Sequence, residues 1–188
     1  TPANNQNVSN ADGDYESMDN VQPSIKIPEH AGGMSIPLYL QTDSRWKSVR
    51  FGGNTISTSG CSVTALAMVL SYMKNECIYP SDVVKFTGAT KYYTGAGASW
   101  GIFADVAAHW GLKCKEQVVD ANAIIKALQA GNPVIVSTTG YGTTQEFTRH
   151  GHFIVLRGLN SKGQVLVNDP NDNSTTKNHY MKAYSASF

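Results

Sequence analysis

The spacing of apolar residues changes part-way along the chain, and this change restricts the possible folds more than any other feature. Apolar residues recur at helical spacing in four segments between residues 61 and 130. From Pro133 onward they form short β-branched runs instead, and the runs at 152–159 and 164–168 flank a polar linker that ends in glycine. This second pattern is typical of a β-hairpin. Helices first and antiparallel strands later predict an α+β fold.

The most apolar of the predicted helices begins at a cysteine. Small and polar residues lead into Cys61, and apolar residues then follow at helical spacing as far as Met73. A thiol in the first turn of a helix lies at the positive end of the helix dipole, which favours the thiolate. Alternatively, a free cysteine packs as a small hydrophobic residue. The helix alone does not decide between a nucleophile and a packing residue.

Start and stop signals mark the remaining elements. A serine or aspartate that can cap a first turn precedes each of three further apolar segments, and a glycine follows each one. Additional strands are expected on either side of the hairpin. The predicted helices run from Ser81 to Gly88, from Ser99 to Gly111 and from Asp120 to Gly131, and the additional strands lie within 133–137 and 179–184.

The composition indicates one domain and argues against nucleic acid as a binding partner and against a membrane span. The 188 residues suffice for one domain with a sizeable core. Residues 1–34 are rich in Asn, Asp, Ser and Gln, so we expect an N-terminal extension or linker there and the domain at 35–188. The net charge is +1 and only 15% of residues are charged, which argues against nucleic acid as a partner. No apolar run approaches the roughly 20 residues of a membrane span. We expect a monomer.

The cysteines show no pattern of a metal or disulfide scaffold. Cys61, Cys77 and Cys114 form an odd set without a Cys-x-x-Cys pair, which argues against a zinc ribbon. A disulfide between Cys77 and Cys114 that leaves Cys61 free remains open. The abundance of Asn, Ser, Thr and Tyr with few charges favours an exported protein, either secreted or held at the cell surface.

The register of the predicted hairpin follows from its linker. If residues 160–163 form the turn, Leu159 faces Gln164, and the pairing continues one residue at a time along both strands. Ile154 then faces Asp169 near the open end of the hairpin.

This register predicts that His152 and Asp169 lie on the same face. Side chains alternate along a strand, so His152 shares its face with Ile154, and Asp169 lies diagonally across. Asn168 points to the opposite face. A slip of one residue would exchange Asp169 for Asn168, so the prediction depends on the register.

A histidine beside a carboxylate, together with a thiol at a helix start, meets the requirements of cysteine nucleophilic catalysis. The carboxylate fixes the orientation and tautomer of the imidazole, and the imidazole takes the thiol proton and later donates it to the leaving group. A strand-end histidine or an aspartate before a proline is common by itself. The combination of all three residues is far more specific.

The same residues resemble a known family. Four blocks of the sequence are similar to bacterial C39-like cysteine peptidases of the papain-like clan, and the similarity extends over about residues 36–184. The order Cys, His, Asp and the Gln-x-Asp-x-x-Trp block make it fairly specific. The blocks are IPLYLQTDSRW at 36–46, SGCSVTALAMVL at 59–70, GHFIVL at 151–156 and NDP at 168–170.

The resemblance implies a papain-like fold, in which a helix carrying the cysteine packs on an antiparallel sheet carrying the histidine and the aspartate. By this resemblance Cys61 is the nucleophile, His152 is the general base and acid, and Asp169 orients the imidazole. Papain-type enzymes place an oxyanion-binding glutamine shortly before the cysteine, but Thr55 stands six residues upstream here. We therefore assign the oxyanion role to Gln41 together with the Cys61 backbone N–H. The alternative is a surface glutamine in a loop.

Other candidate sites are weaker, and we expect no metal and no cofactor. His150 and His152 offer two metal ligands without an evident third. The segment that starts at Asp169 resembles the beginning of a calcium loop, but its sixth position is not glycine and its twelfth is not glutamate.

The sequence therefore predicts an exported cysteine peptidase that cleaves peptide or protein substrates through an acyl-enzyme. Three alternatives remain open. The first is an amidase or endopeptidase that cuts the stem peptides of the cell wall with the same triad. The second is an inactive binding module with the same fold. The third is a transferase that passes the acyl group to an amine.

Overall fold

Five helices and six strands make up the described part of this computed structural model, which comprises residues 33–95, 97–116, 120–138, 147, 150–171 and 183–184. The helices are α1 Ile56–Ser59, α2 Cys61–Lys74, α3 Pro80–Thr87, α4 Gly101–His109 and α5 Ala121–Gln129. The strands are β1 Arg50–Phe51, β2 Asn54–Thr55, β3 Val134–Thr138, β4 His152–Leu159, β5 Val165–Asn168 and β6 Ala183–Tyr184. The first two strands form a small antiparallel hairpin, and the other four form an antiparallel sheet in the order β3-β4-β5-β6.

The helix predicted from Cys61 is confirmed and lies in the core. Apolar and small side chains are buried on most sides of α2, so the helix is covered by other elements rather than amphipathic. It packs against β4, α3 and α4. The helix ends at Asn75, whose left-handed backbone (φ +50°) lets its N–H reach the carbonyls of Ser71 and Tyr72.

Two of the three predicted helix caps are wrong, although the helices themselves are confirmed. The cap of α3 is Tyr79 rather than Ser81, because Pro80 fits the first turn and the Asp82 carboxylate accepts the Tyr79 N–H at 2.9 Å. The cap of α4 is Trp100 rather than Ser99.

The third predicted cap and the three glycine stop signals are confirmed. Asp120 caps α5 as predicted, and its side chain accepts the N–H of Asn122 at 3.0 Å. Gly88, Gly111 and Gly131 all follow helix ends with positive φ. The short helix α1 and the hairpin β1–β2 were not predicted.

The predicted pairing of Leu159 with Gln164 is wrong. Leu159 pairs with Val165 instead, because Asn160 and Gln164 close a shorter turn around Gly163, which has a φ of +74°. The Asn160 side chain also accepts the N–H of Gln164 at 2.9 Å. The turn therefore begins one residue later along the chain than the linker suggested.

The pairing farther from the turn nevertheless follows the predicted register. Leu156 pairs with Val167 and Val155 pairs with Asn168, because the register shifts between Leu156 and Gly158. Arg157 is the extra residue in this β-bulge. By continuation, Ile154 lies across from the position directly after β5, which is Asp169.

The entering segment, residues 33–37, leads into the domain and is held by both strands of this hairpin. The Met34 N–H donates to the Arg157 carbonyl at 2.7 Å, and the Asn168 side chain donates to the Ile36 carbonyl at 3.1 Å. Apolar side chains of the same segment, such as Ile36, are fully buried. Residues 1–32, which include most of the predicted extension, lie outside the described residues, as do residues 179–182 of the predicted final strand.

No helix in the described part of the chain is long and apolar enough to cross a membrane.

Candidate active site

The thiol of Cys61 is presented by a glycine break between two helices. Gly60 is the one residue between α1 and α2, and its N–H donates to the Ile56 carbonyl at 2.9 Å. A β-carbon at Gly60 would lie 2.5 Å from that carbonyl oxygen and 2.7 Å from the Ile56 Cα, which leaves no room for a side chain. Cys61 follows in the first turn of α2 and is half-buried. Glycine therefore lets the chain turn closely enough to start α2 at the cysteine.

His152 and Asp169 form a buried pair at the open end of the β4–β5 hairpin. The Nε2 atom of His152 lies 2.6 Å from the Oδ1 atom of Asp169, and the two residues are 4% and 1% exposed. The same Oδ1 atom accepts the backbone N–H of Asn171 at 2.8 Å, which fixes the carboxylate. Because Nε2 faces Asp169, the Nδ1 atom of His152 is left for the thiol.

The charges around His152 favour its protonated form. Burial of the ring by itself lowers the pKa of His152, but hydrogen bonds to Asp169 and to the Cys61 thiol, with the negative charges of both partners, outweigh burial. The net effect raises the pKa of His152 from 6.5 to about 9. The ring is thus held by the carboxylate and influenced by the nearby thiol, as cysteine nucleophilic catalysis requires.

Gln41 lies at the same end of the molecule and connects both halves of the site. Its backbone N–H donates to the Pro170 carbonyl at 2.7 Å, directly after Asp169, and its Nε2 atom donates to the Ser57 carbonyl in α1 at 2.8 Å. Gln41 is only 4% exposed, so the alternative of a surface glutamine is wrong. Its Oε1 atom has no hydrogen-bond partner among the described residues.

A family model described as the Peptidase_C39 like family matches residues 34–188, which is most of the chain. The chain belongs to this family. The resemblance seen in the sequence is therefore confirmed, and the α+β fold with its antiparallel sheets is consistent with the papain-like fold of C39-like proteins. Membership indicates a cysteine peptidase-type or related function. Searches of curated proteins and of solved structures found no match.

The Gln-x-Asp-x-x-Trp block at the start of this C39-like domain is held in place by its tryptophan. Trp46 is 2% exposed, and its indole N–H donates to the Leu40 carbonyl at 2.8 Å. Its ring stacks on Tyr79 at 5.6 Å between centroids and meets Tyr39 edge-on at 5.4 Å. The Arg45 guanidinium lies over the indole, 4.5 Å from the ring centroid. The block thus forms a rigid loop that holds Gln41 in place.

Three groups that support the site were not predicted from the sequence. They are Gly60, where no side chain fits, the Asn171 N–H that holds Asp169, and the Ser57 carbonyl that holds the Gln41 side chain. The glycine directly before Cys61 was a usable signal, because small residues commonly allow close backbone approach. The two backbone partners carry no sequence signal.

The other two cysteines of this C39-like protein are free thiols. The disulfide considered between Cys77 and Cys114 is not formed. Burial raises the pKa of both thiols, so neither is activated by its surroundings. Among the described residues, no group of three or more His, Cys, Asp or Glu side chains could hold a metal ion.

Proposed function

We propose that this protein is a cysteine peptidase that hydrolyses peptide bonds through Cys61, His152 and Asp169. The observation that carries the proposal is the buried His152 ring, which lies 2.6 Å from the Asp169 carboxylate and close enough to the Cys61 thiol for that thiol to raise the pKa of the ring. A structural histidine needs no such thiol partner. Membership in the C39-like family supports the same class of chemistry.

The reaction follows from the roles of the three side chains. His152 takes the Cys61 proton, and the thiolate attacks the carbonyl carbon of the substrate. The tetrahedral intermediate collapses to a thioester as the imidazolium gives its proton to the leaving amine. Water then loses a proton to His152 and attacks the thioester, and the Cys61 thiolate leaves. Asp169 holds the ring and stabilises its positive charge throughout.

The oxyanion formed during both steps needs hydrogen-bond donors. We assign this role to the Cys61 backbone N–H at the start of α2 and to the Gln41 side chain. The Gln41 amide nitrogen carries two hydrogens and gives one to the Ser57 carbonyl, which leaves the second for the substrate. Its anchoring on both sides, at Ser57 and Pro170, keeps that donor in a fixed position.

Selective alkylation tests the proposal. Cys61 should react with iodoacetamide at pH 7 at least about 10-fold faster than Cys77 and Cys114, because the thiolate is the reactive form and burial raises the pKa of the other two thiols. Mass spectrometry of peptides from timed samples gives all three rates in one experiment. Equal rates at the three cysteines would favour the inactive binding module.

The pH dependence of the activity should report the His152 proton. Because the pKa of His152 is raised to about 9, the ring keeps the proton needed by the leaving amine up to that pH. We expect kcat/KM, which reports the free enzyme and the acylation step, to stay level up to about pH 9 and to fall about tenfold per pH unit above it. In Asp169→Asn protein the falling limb should move to lower pH, since the carboxylate charge no longer holds the proton. An unchanged limb in that variant would contradict the assignment of Asp169.

The substrate is the open part of the proposal, because the same triad can cut any amide that fits the cleft. Cell-wall stem peptides are therefore the alternative to ordinary polypeptides. Digestion of purified cell walls in parallel with a peptide library separates the two. Release of muropeptides with no cleavage in the library would assign a cell-wall amidase or endopeptidase. Addition of hydroxylamine would reveal a transferase through formation of hydroxamates.

A further inference from the structure

In the β4–β5 hairpin, β4 has one more residue than β5 between the turn and the open end. Near the turn Leu159 pairs with Val165 and Gly158 pairs with Leu166, but beyond the bulge Leu156 pairs with Val167. Arg157 is left out of the ladder between these two registers. The turn and the open end of the hairpin therefore follow registers that differ by one residue.

This difference decides which residue of β5 reaches His152. If the register set by the turn continued without the bulge, every side chain of β4 beyond Arg157 would move to the opposite face of the sheet. His152 would then share its face with Asn168, while Asp169 would stay on the other face. With the bulge, Val155 pairs with Asn168, and His152 meets Asp169.

We propose that the β-bulge at Arg157 and Gly158, clamped by Gly33 and Met34, positions His152 against Asp169 rather than against Asn168. Gly158 is the positioning residue in this arrangement. The inference rests on the proposed function only for its consequence in catalysis, because the pairing itself is a property of the fold.

The bulge is specified by glycines and by the entering segment. Gly158 has a φ of +147°, a conformation that is essentially restricted to glycine. A β-carbon there would lie 2.5 Å from the Cα of Gly33, and a β-carbon at Gly33 would lie 2.8 Å from the Arg157 carbonyl oxygen. The two backbones therefore touch. The Arg157 carbonyl, which the bulge removes from the ladder, accepts the Met34 N–H at 2.7 Å.

The other strand is held by the same segment. The Asn168 side chain donates to the carbonyls of Ile36 and Pro37 at 3.1 and 3.3 Å, so Asn168 faces away from His152 and has its own partners. The entering segment thus fixes both the bulge on β4 and the side of the sheet to which each β5 side chain points. A shift of either strand would break one of these contacts.

Replacing Gly158 by alanine tests the inference through the His152 ring. NMR titration of histidine-labelled protein gives the pKa of His152, which is assigned by loss of its signal in His152→Gln protein. We expect a pKa near 9 in the unchanged protein and a fall toward 6.5 in Gly158→Ala protein. Gly111→Ala is the matched control, since Gly111 also has a positive φ (+71°) but nothing lies within 4 Å of its β-carbon position. Its His152 pKa should be unchanged.

Deletion of Arg157 in the Gly158→Ala background provides the second arm. The deletion removes the extra residue, so the turn and the open end share one register and Ile154 again lies across from Asp169 without a bulge. We expect the deletion to restore a His152 pKa near 9. This result is expected even if the Gly158→Ala protein does not fold by itself. A pKa near 9 in the single variant, or no restoration by the deletion, would overturn the inference. These readouts need no substrate, so an absence of peptidase activity would count against the proposed function alone.

Discussion

Replacing His152 by alanine is expected to lower kcat/KM for peptide hydrolysis by about 10⁶-fold, the order of loss measured when the base of a nucleophilic triad is removed. The ring contacts both the Cys61 thiol and the Asp169 carboxylate, so its removal leaves the thiol without a proton acceptor and the leaving amine without a proton donor. Alkylation of Cys61 at pH 7 should slow sharply in the same protein, because no base remains beside the thiol to take its proton.

A histidine outside the site provides the control for this variant. His109 stacks on Phe86 with 3.9 Å between ring centroids and contacts none of the three proposed catalytic residues. His109→Ala should therefore change kcat/KM only a few-fold. Circular dichroism and thermal unfolding must show that both variants are folded. If His152→Ala protein is folded and alkylated at Cys61 at the rate of the unchanged protein, His152 is not the base that activates Cys61.

Replacing Trp46 by alanine should lower the free energy of unfolding by about 3–5 kcal/mol, the range measured for large buried aromatic side chains. The indole is 2% exposed, contacts Tyr39 and Tyr79, and donates to the Leu40 carbonyl. Its loss opens a cavity and also releases the loop that carries Gln41. We therefore expect kcat to fall at temperatures where the variant is still folded.

Trp46→Phe separates packing from the hydrogen bond. Phenylalanine keeps most of the aromatic contact with Tyr79 but cannot donate to Leu40, so we expect a smaller loss, with the hydrogen bond contributing about 1 kcal/mol. Urea unfolding followed by circular dichroism measures both variants. A loss below about 1 kcal/mol in Trp46→Ala protein would show that the loop is not held by its tryptophan.

The sequence sufficed for the four longer helices, α2 to α5, and for the β4–β5 hairpin, because these elements depend on local patterns. The periodicity after Cys61 predicts a buried helix, and the β-branched runs around 160–163 predict the hairpin. Capping was less predictable. Pro80 with Asp82 at α3 outcompeted Ser81, and such competition between neighbouring polar residues is decided by the backbone path rather than by residue type.

The register shows the limit of sequence reasoning more clearly. Pairing was extrapolated from an incorrect turn, yet the expected facing of His152 and Asp169 agrees with the structure because the bulge at Arg157 offsets the difference. Gly158 inside the predicted strand is a local signal of a bulge, but its contact with Gly33 joins residues far apart in the chain and leaves no local pattern. The burial of Gln41 between Ser57 and Pro170 has the same origin. Tertiary contacts of this kind leave no periodic pattern.

The separation of the site residues along the chain has a consequence for the newly made protein. His152 and Asp169 are 17 residues apart on one hairpin, so they can meet once that hairpin forms and Gly33 and Met34 hold its bulge. Cys61 comes from a helix far earlier in the chain and joins them only when α2 docks on β4, which requires closure of a long loop. A partly folded chain therefore carries an unactivated sulfur. Under the proposed function, the ability to cut peptides arises only after α2 has docked on β4, which protects a partly folded chain from premature cleavage.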